Sequence, residues 1–305
     1  MLMLKTAALA AASFAGVQLM SAHVETTKPG GADHAKQVET WRAQRVERLK
    51  APNGWLSLIG LHWLKDGANS VGSAKGNDIV LAKGPAKLGT ITLKDGKATI
   101  ALDAKAGATI DGKPAQAAEL LDDSHETPTT VAFGSASFYM IDRNGKKALR
   151  VKDTEAATRT GFKGIDSFPI DPSWRVEAKF EEFKPAHSLE IPTVLGTVDK
   201  MTVPGKVTFT RDGKSYTLLP VLETADAKDL WFIFADRTSG KETYGAARFL
   251  YADLPKDGKV TIDFNKAYNP PCAFTPYATC PLAPPENRLD LRVTAGEKKY
   301  AGGAH

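Results

Sequence analysis

Residues 88–102 read LGTITLKDGKATIAL. Ile91 and Leu93 alternate with Thr and Lys, and Ala98, Ile100 and Leu102 do the same after the turn. This period of two belongs to strands with one buried face. Between them stands Asp95-Gly96, a pair that tolerates the left-handed backbone of a two-residue hairpin turn. The segment therefore predicts a β-hairpin. The same pattern repeats outward through NSVGS, NDIVLA, ATIDGKPA, TTVAF and SFYMIDRNGKKALRV, with further turns at Asp111-Gly112 and Asn144-Gly145. Short strands with turns about every 8–12 residues predict an all-β sandwich or barrel over residues 53–155.

Working outward, Trp55–Leu64 (WLSLIGLHWL) is a dense apolar run, expected to be a buried strand or a tight strand pair with His62 as a core histidine. Before it, Val38, Trp41, Arg45, Val46 and Leu49 recur at three- and four-residue spacing. They predict an amphipathic helix after a polar lead within residues 23–52, ended by Pro52-Asn53-Gly54. Downstream, Asp153–Gly164 is expected as a linker or a turn of helix. A second β-rich part follows over residues 165–300: Trp174–Phe183 alternates, strands are expected near 190–195, 206–211, 215–222, 230–235, 248–251 and 259–264, and Asp212-Gly213 makes another hairpin turn. Trp231, Phe232 and Phe234 are expected in the core, and Asp236–Tyr244 in an exposed loop. The fold class expected is mainly β: an N-terminal helix followed by two β-rich, sandwich- or barrel-like parts in one compact body.

The first 22 residues carry Lys5, an apolar run to about Leu19, and then Ser21 and Ala22. This is the pattern of a secretory signal peptide, and it predicts a periplasmic or secreted protein with no membrane span after cleavage. The net charge of +5 comes from scattered lysines without a basic block, so no nucleic-acid partner is expected.

Chemistry has to be sought in Asp263–Leu289, DFNKAYNPPCAFTPYATCPLAPPENRL, which holds both cysteines and six of the eighteen prolines. Proline lacks the N–H that helices and central strands need, so residues 265–288 are expected as a stiff loop. In an oxidising compartment, Cys272 and Cys280 read first as a disulfide. Buried thiols are a second reading, and a redox or metal pair a third, for which the spacing is not C-x-x-C and further ligands are wanting. His62, His125 and His187 stand singly, so no metal or cofactor is expected. No G-x-S-x-G, G-x-G-x-x-G, H-E-x-x-H, phosphate-binding loop or EF-hand is spelled out.

Two resemblances add to these readings. Val71-Gly72-Ser73, Asn77–Leu81 and Ala108–Gly112 resemble a forkhead-associated sandwich. The family's phosphate-binding residues do not carry over: Ser73 stands where an arginine is expected, and 85–89 lacks the Ser…His pair. The words GWLSLIGLHWL (Gly54–Leu64), TYGAARFL (Thr243–Leu250), DFNKAYNPPCAF and CPLAPPENRL resemble the DUF1684 family from about Trp41 to Lys298. That family carries no established function, so the resemblance implies no mechanism.

The polar residues held by the stiff loop and its neighbours nominate a site. Tyr244, Arg248, Asn265, Tyr268, Asn269, Asn287 and Arg288 are the candidate ligand-binding set, suited to a small polar or anionic ligand between the β parts. The alternative is a hydrolase-like enzyme whose carboxylate, Glu286, Asp263 or Asp236, works beside Arg248. A purely structural or interaction role, in which these groups satisfy one another, is the third possibility.

Overall fold

The computed structural model describes residues 31–302. The expected signal peptide lies outside the described residues. Among those residues, no helix is long and apolar enough to cross a membrane.

Helix α1 (Gly31–Lys50) is followed by ten strands: β1 (Leu58–Trp63), β2 (Gly67–Gly72), β3 (Ile79–Val80), β4 (Gly89–Lys94), β5 (Lys97–Leu102), β6 (Thr109–Ile110), β7 (Ala117–Leu120), β8 (Thr130–Phe133), β9 (Ala136–Arg143) and β10 (Lys146–Asp153). They form two sheets of five, ordered β1-β10-β9-β8-β6 and β3-β2-β4-β5-β7. Val71, Ile91 and Ile100 of one sheet pack on Val131, Phe138, Leu149 and Val151 of the other, which makes a sandwich core. The hairpin expected at 88–102 is present in register, with Leu93 opposite Ala98 and Lys94 opposite Lys97. Asp95 and Gly96 both take positive φ (51° and 76°), as a primed turn demands. Asn144-Gly145 and Asp212-Gly213 turn in the same way.

A single helical turn, α2 (Ala157–Thr160), leads to the second part. Its strands are β11 (Arg175–Pro192), β12 (Val198–Arg211), β13 (Lys214–Leu218), β14 (Asp229–Phe234), β15 (Arg248–Asp253) and β16 (Lys259–Asp263). The sheet β13-β12-β11-β16 and the pair β14-β15 enclose Trp174, Phe209, Phe232, Phe234, Ile262 and Phe264. The whole is mainly β, with antiparallel sheets that include a curled half-barrel.

Three expectations need correction. The segments expected as strands at Trp174–Phe183 and 190–195 largely belong to one strand, β11, which ends at Pro192. Its middle, 183–186, is absorbed as a bulge where the register passes from Glu182↔Gly205 to His187↔Val203. The loop Asp236–Tyr244 is not simply exposed: Asp236, Thr238 and Thr243 are buried. His62, expected in the core, is half-buried on β1.

Although α1 precedes the sandwich in sequence, it is fastened to the second part. His34 meets Asp263 at 2.8 Å, Arg42 donates to Phe168 O at 3.1 Å, and Arg45 donates to Glu297 at 3.1 Å and to Asn269 O at 2.8 Å. Leu49 packs with Leu56, Ala273 and Phe274. The helix therefore pins the proline-rich loop and the C-terminal segment against the start of the sandwich.

One ionic cluster within the sandwich sets an expected pH response. Lys147 bridges Asp122 and Asp142, and Ser124 donates to Asp122 at 2.5 Å. Burial pushes the Asp122 carboxyl up, but the Lys147 and Ser124 hydrogen bonds outweigh it and hold the carboxyl well below the usual range. The unfolded chain then binds the proton more readily. This contribution is complete above the unfolded carboxylate pKa of about 3.9 and is lost as pH falls below it. Thermal melts should show the midpoint dropping in that acid range, with a shallower drop in Asp122→Asn.

Candidate functional site

The proline-rich stretch, β14–β15, the end of β9 and helix α1 meet around an open cleft of about 380 Å³. Its floor is aromatic. Trp231 and Phe249 meet edge to face at 4.9 Å, Tyr251 lies nearly parallel to Trp231 at 6.1 Å, and Tyr268 nearly parallel to Tyr251 at 6.3 Å. Residues Trp231 on β14 and Phe249 and Tyr251 on β15 point the same way because alternate strand positions share a face. Tyr251 donates to Glu223 at the exposed rim, at 2.8 Å. Burial pushes the Tyr268 hydroxyl up to about 12 and raises that of Tyr251 as well, so both remain protonated donors at neutral pH.

Two arginines, Arg45 and Arg143, line this cleft, and a third, Arg150, lies behind its Thr279 wall. Arg45 of α1 lies 4.6 Å above the Tyr268 ring. Its other contacts are with Asn269 O and Glu297, whose second oxygen accepts the Asn269 N–H at 2.7 Å. Gly296 permits the turn that carries Glu297 inward: its φ is +80°, and a Cβ there would sit 2.4 Å from Ala267 O. Arg143, at the end of β9, pairs with Asp123 at 2.8 Å and donates from Nε to Thr279 Oγ1 at 3.0 Å.

Arg150 on β10 is different. It is only 3% exposed, and its partners are two hydroxyls, Tyr139 and Thr279, each at 3.2 Å. Its guanidinium lies 5.2 Å from the Trp55 ring and 6.0 Å from the Tyr139 ring. The Nε has no partner, and Arg150 forms no ion pair among the described residues. Burying a charge without a counter-ion is costly. Thr279 Oγ1 accepts from both Arg143 and Arg150, which uses its two lone pairs. Its own proton is thereby left to be donated elsewhere, and Thr279 lines the cleft. Trp231 Nε1 is likewise a buried donor without a partner. Beyond Trp55 a second hollow of about 320 Å³ continues past Arg45, Arg48, Tyr139 and Lys152. Burial lowers the Lys152 ammonium, and the Arg150 charge adds to that effect.

A larger hollow of about 530 Å³ lies beside Trp63, Lys146, Lys147 and Thr197 and shares Arg143 with the cleft. Its buried cation, Lys147, is already claimed by Asp122 and Asp142. The converging donors therefore favour the smaller cleft.

The residues expected from sequence are dispersed. Tyr268 lines the cleft, and Cys280 stands on its wall. Tyr244 is half-buried between two apolar clusters, and burial pushes its hydroxyl up to about 12. Arg248 is wholly buried: it pairs with Asp236 at 2.6 Å and donates to Ala295 O and Val293 O. Neither its guanidinium nor the Asp236 carboxylate is open to a substrate. Asp263 is occupied by His34 and Asn265. Asn265 clamps the backbone of Asp171, and Asn287 bonds Leu219 N, Leu219 O and Ile233 O. Asn269 donates to Lys298 O at 2.8 Å, while Glu286 and Arg288 are exposed. Arg45, Trp55, Arg143, Arg150, Trp231 and Thr279 were not singled out as site residues. Only Arg45 left a trace, as a charged residue inside an apolar helical stripe.

A family model described as "Protein of unknown function (DUF1684)" matches residues 160–298, so Gly54–Leu64 falls outside the matched span. No curated protein matches the chain. Among solved structures, the chain is similar to the uncharacterized protein from gene locus rrnAC0354 of Haloarcula marismortui, with 32% identity, 46% of this chain and 78% of that chain covered, and a TM-score of 0.39. It also matches, distantly, a chain in the crystal structure of the FhaA FHA domain complexed with the intracellular domain of Rv3910. That match has 18% identity, covers 30% of this chain and 97% of the other, and has a TM-score of 0.22.

Proposed function

We propose that this chain, whose residues 160–298 match the DUF1684 family model, binds a small anionic ligand with a flat or apolar body, in the cleft between its β parts. The observation that carries this reading is Arg150, a buried guanidinium with an orphaned Nε and no acid partner among the described residues. An anion near Thr279 would supply the missing counter-charge, with Arg143 and the Thr279 hydroxyl as further donors. The ring faces of Trp231, Tyr251 and Tyr268 suit an apolar or planar body. A volume of about 380 Å³ is within the span of small-molecule sites, roughly 300–1,000 Å³.

Trp55 and Trp231 both line the cleft, so occupancy should change the intrinsic fluorescence. Titration with benzoate, phenyl phosphate, citrate and inorganic phosphate tests the reading. At least one aromatic anion should saturate the signal and raise the melting temperature, while benzamide, its neutral counterpart, should not. Equal responses to charged and neutral probes would overturn the proposal.

The chain is further proposed to be exported, on its first 22 residues. The intact mass of protein recovered from its native cells should lack them. Retention of the full N-terminus in that protein would reject export by cleavage.

A further inference from the structure

Cys280 stands on the wall of the cleft, and Cys272 meets it in a reciprocal arrangement. The Cys272 N–H donates to Cys280 Sγ at 3.1 Å, and the Cys280 N–H donates to Cys272 Sγ at 3.4 Å. Each sulfur is thus met by the backbone of the other residue, so the turn between them brings the sulfurs face to face. Pro271 and Pro281 flank the pair and also line the cleft, as does Cys280 itself. Thr279, directly before Cys280, holds the guanidinium of Arg150.

We propose that Cys272 and Cys280 form a reversible dithiol–disulfide couple that exchanges with small-molecule disulfides entering the cleft. A permanent staple would need no access and no charge beside it. This pair has a sulfur-bearing residue on an open wall, N–H donors on both sulfurs, and a buried cation without an acid partner next door. Those are the features that make a thiolate attainable and usable. Charge favours Cys272 as the resting thiolate of the pair, poised to take the Cys280 proton. The hydrogen bond from Cys280 draws the Cys272 thiol below its ordinary value, with a contribution from Arg150, whereas burial pushes the Cys280 thiol up.

The exchange balances as follows. The Cys280 proton passes along the S–H···S contact to the Cys272 thiolate, and the Cys280 thiolate attacks one sulfur of the incoming disulfide. A mixed disulfide forms, and the other half leaves as a thiolate. The Cys272 thiol then yields its proton to that leaving thiolate, and its sulfur attacks Cys280. An intramolecular S–S bond forms, and the second half leaves as a thiolate that takes a proton from water. Two protein sulfurs are oxidised and one small disulfide is reduced to two thiols. The couple is independent of which anion the cleft binds.

Hydroxyethyl disulfide is a suitable probe because it is small and neutral, so its reaction does not call on the anion site. The reduced, folded protein should lose both alkylatable thiols and release two thiol equivalents per chain. Cys272→Ser should stop at a mixed disulfide on Cys280, detectable by intact mass. In that background, Arg150→Met should slow its formation about tenfold or more, through loss of the cation beside the thiolate. Circular dichroism melts should show both variants folded. A glutathione redox titration of the wild type should give a midpoint within the range that glutathione can set. Thiols that react only after denaturant is added, or a bond that persists in excess reduced glutathione, would overturn the proposal. So would a mixed-disulfide rate unaffected by Arg150→Met.

Discussion

Replacing Arg248 with alanine is expected to unfold much of the second β part, with a loss of about 3–5 kcal/mol in denaturant titration. The magnitude follows from what remains behind. Asp236 is buried, and its Oδ2 loses the 2.6 Å partner that neutralises it. Ala295 O and Val293 O lose donors in the same step. The C-terminal segment then loses part of its tie to β15, and with it the backing of Glu297 and Arg45. Asp236→Asn should cost less, because the amide keeps a hydrogen-bonding oxygen while leaving Arg248 the unpaired charge. If Arg248→Ala melted like the wild type, the buried pair would not be the clamp described.

Replacing Arg150 with methionine is expected to act in the opposite sense. Among the described residues this arginine has no counter-ion to strand, and its removal relieves an uncompensated buried charge while the side-chain stem and its packing are kept. Stability should hold or rise. Anion binding should fall by about 2–5 kcal/mol, which is some thirtyfold to several thousandfold in Kd. The tryptophan fluorescence titration reads the second effect and a thermal melt the first. A melt as damaged as that of Arg248→Ala, with affinity unchanged, would make Arg150 a structural residue. The trade of stability for binding is the expected signature of a site whose charge awaits a partner.

These two arginines show how far residue types alone can lead. Arg248 stands in a run of polar and aromatic residues that invited a binding role, yet the fold spends it on one carboxylate and two carbonyls. Arg150 drew no attention, because in KKALRV it alternates with Leu149 and Val151, which face the sandwich core. Period two therefore assigned it to the outer, solvent face. On that face it stands opposite Tyr139 on β9, within reach of the ring of Trp55. Thr279, from a loop 129 residues further along the chain, then closes over it. Nothing local to β10 encodes that cover.

The local grammar was legible for equally physical reasons. Asp95-Gly96, Asn144-Gly145 and Asp212-Gly213 announce hairpins because few other pairs accept two positive φ values in succession. The stripe from Val38 to Leu49 announces a helix because 3.6-residue periodicity is a property of the chain itself. Strand lengths were harder to read. Residues 184–189 lie between two expected strands, whereas a bulge carries β11 through them.

By itself, the sequence determined the mainly β class, the leading helix, the hairpin turns and the irregular, proline-interrupted course of residues 264–289, since each rests on backbone preference or short-range periodicity. Tertiary structure alone decided that α1 would be pinned to Glu297 and Asp263, that Arg248 would be sealed with Asp236, and that Arg45, Arg143 and Arg150 would gather beside Thr279 and Cys280. Whether a charged side chain is a clamp, a surface group or a ligand's counter-charge depends on which distant segment covers it and whether that segment brings an acid. That is a property of long-range packing and solvation, and no local pattern of residues carries it.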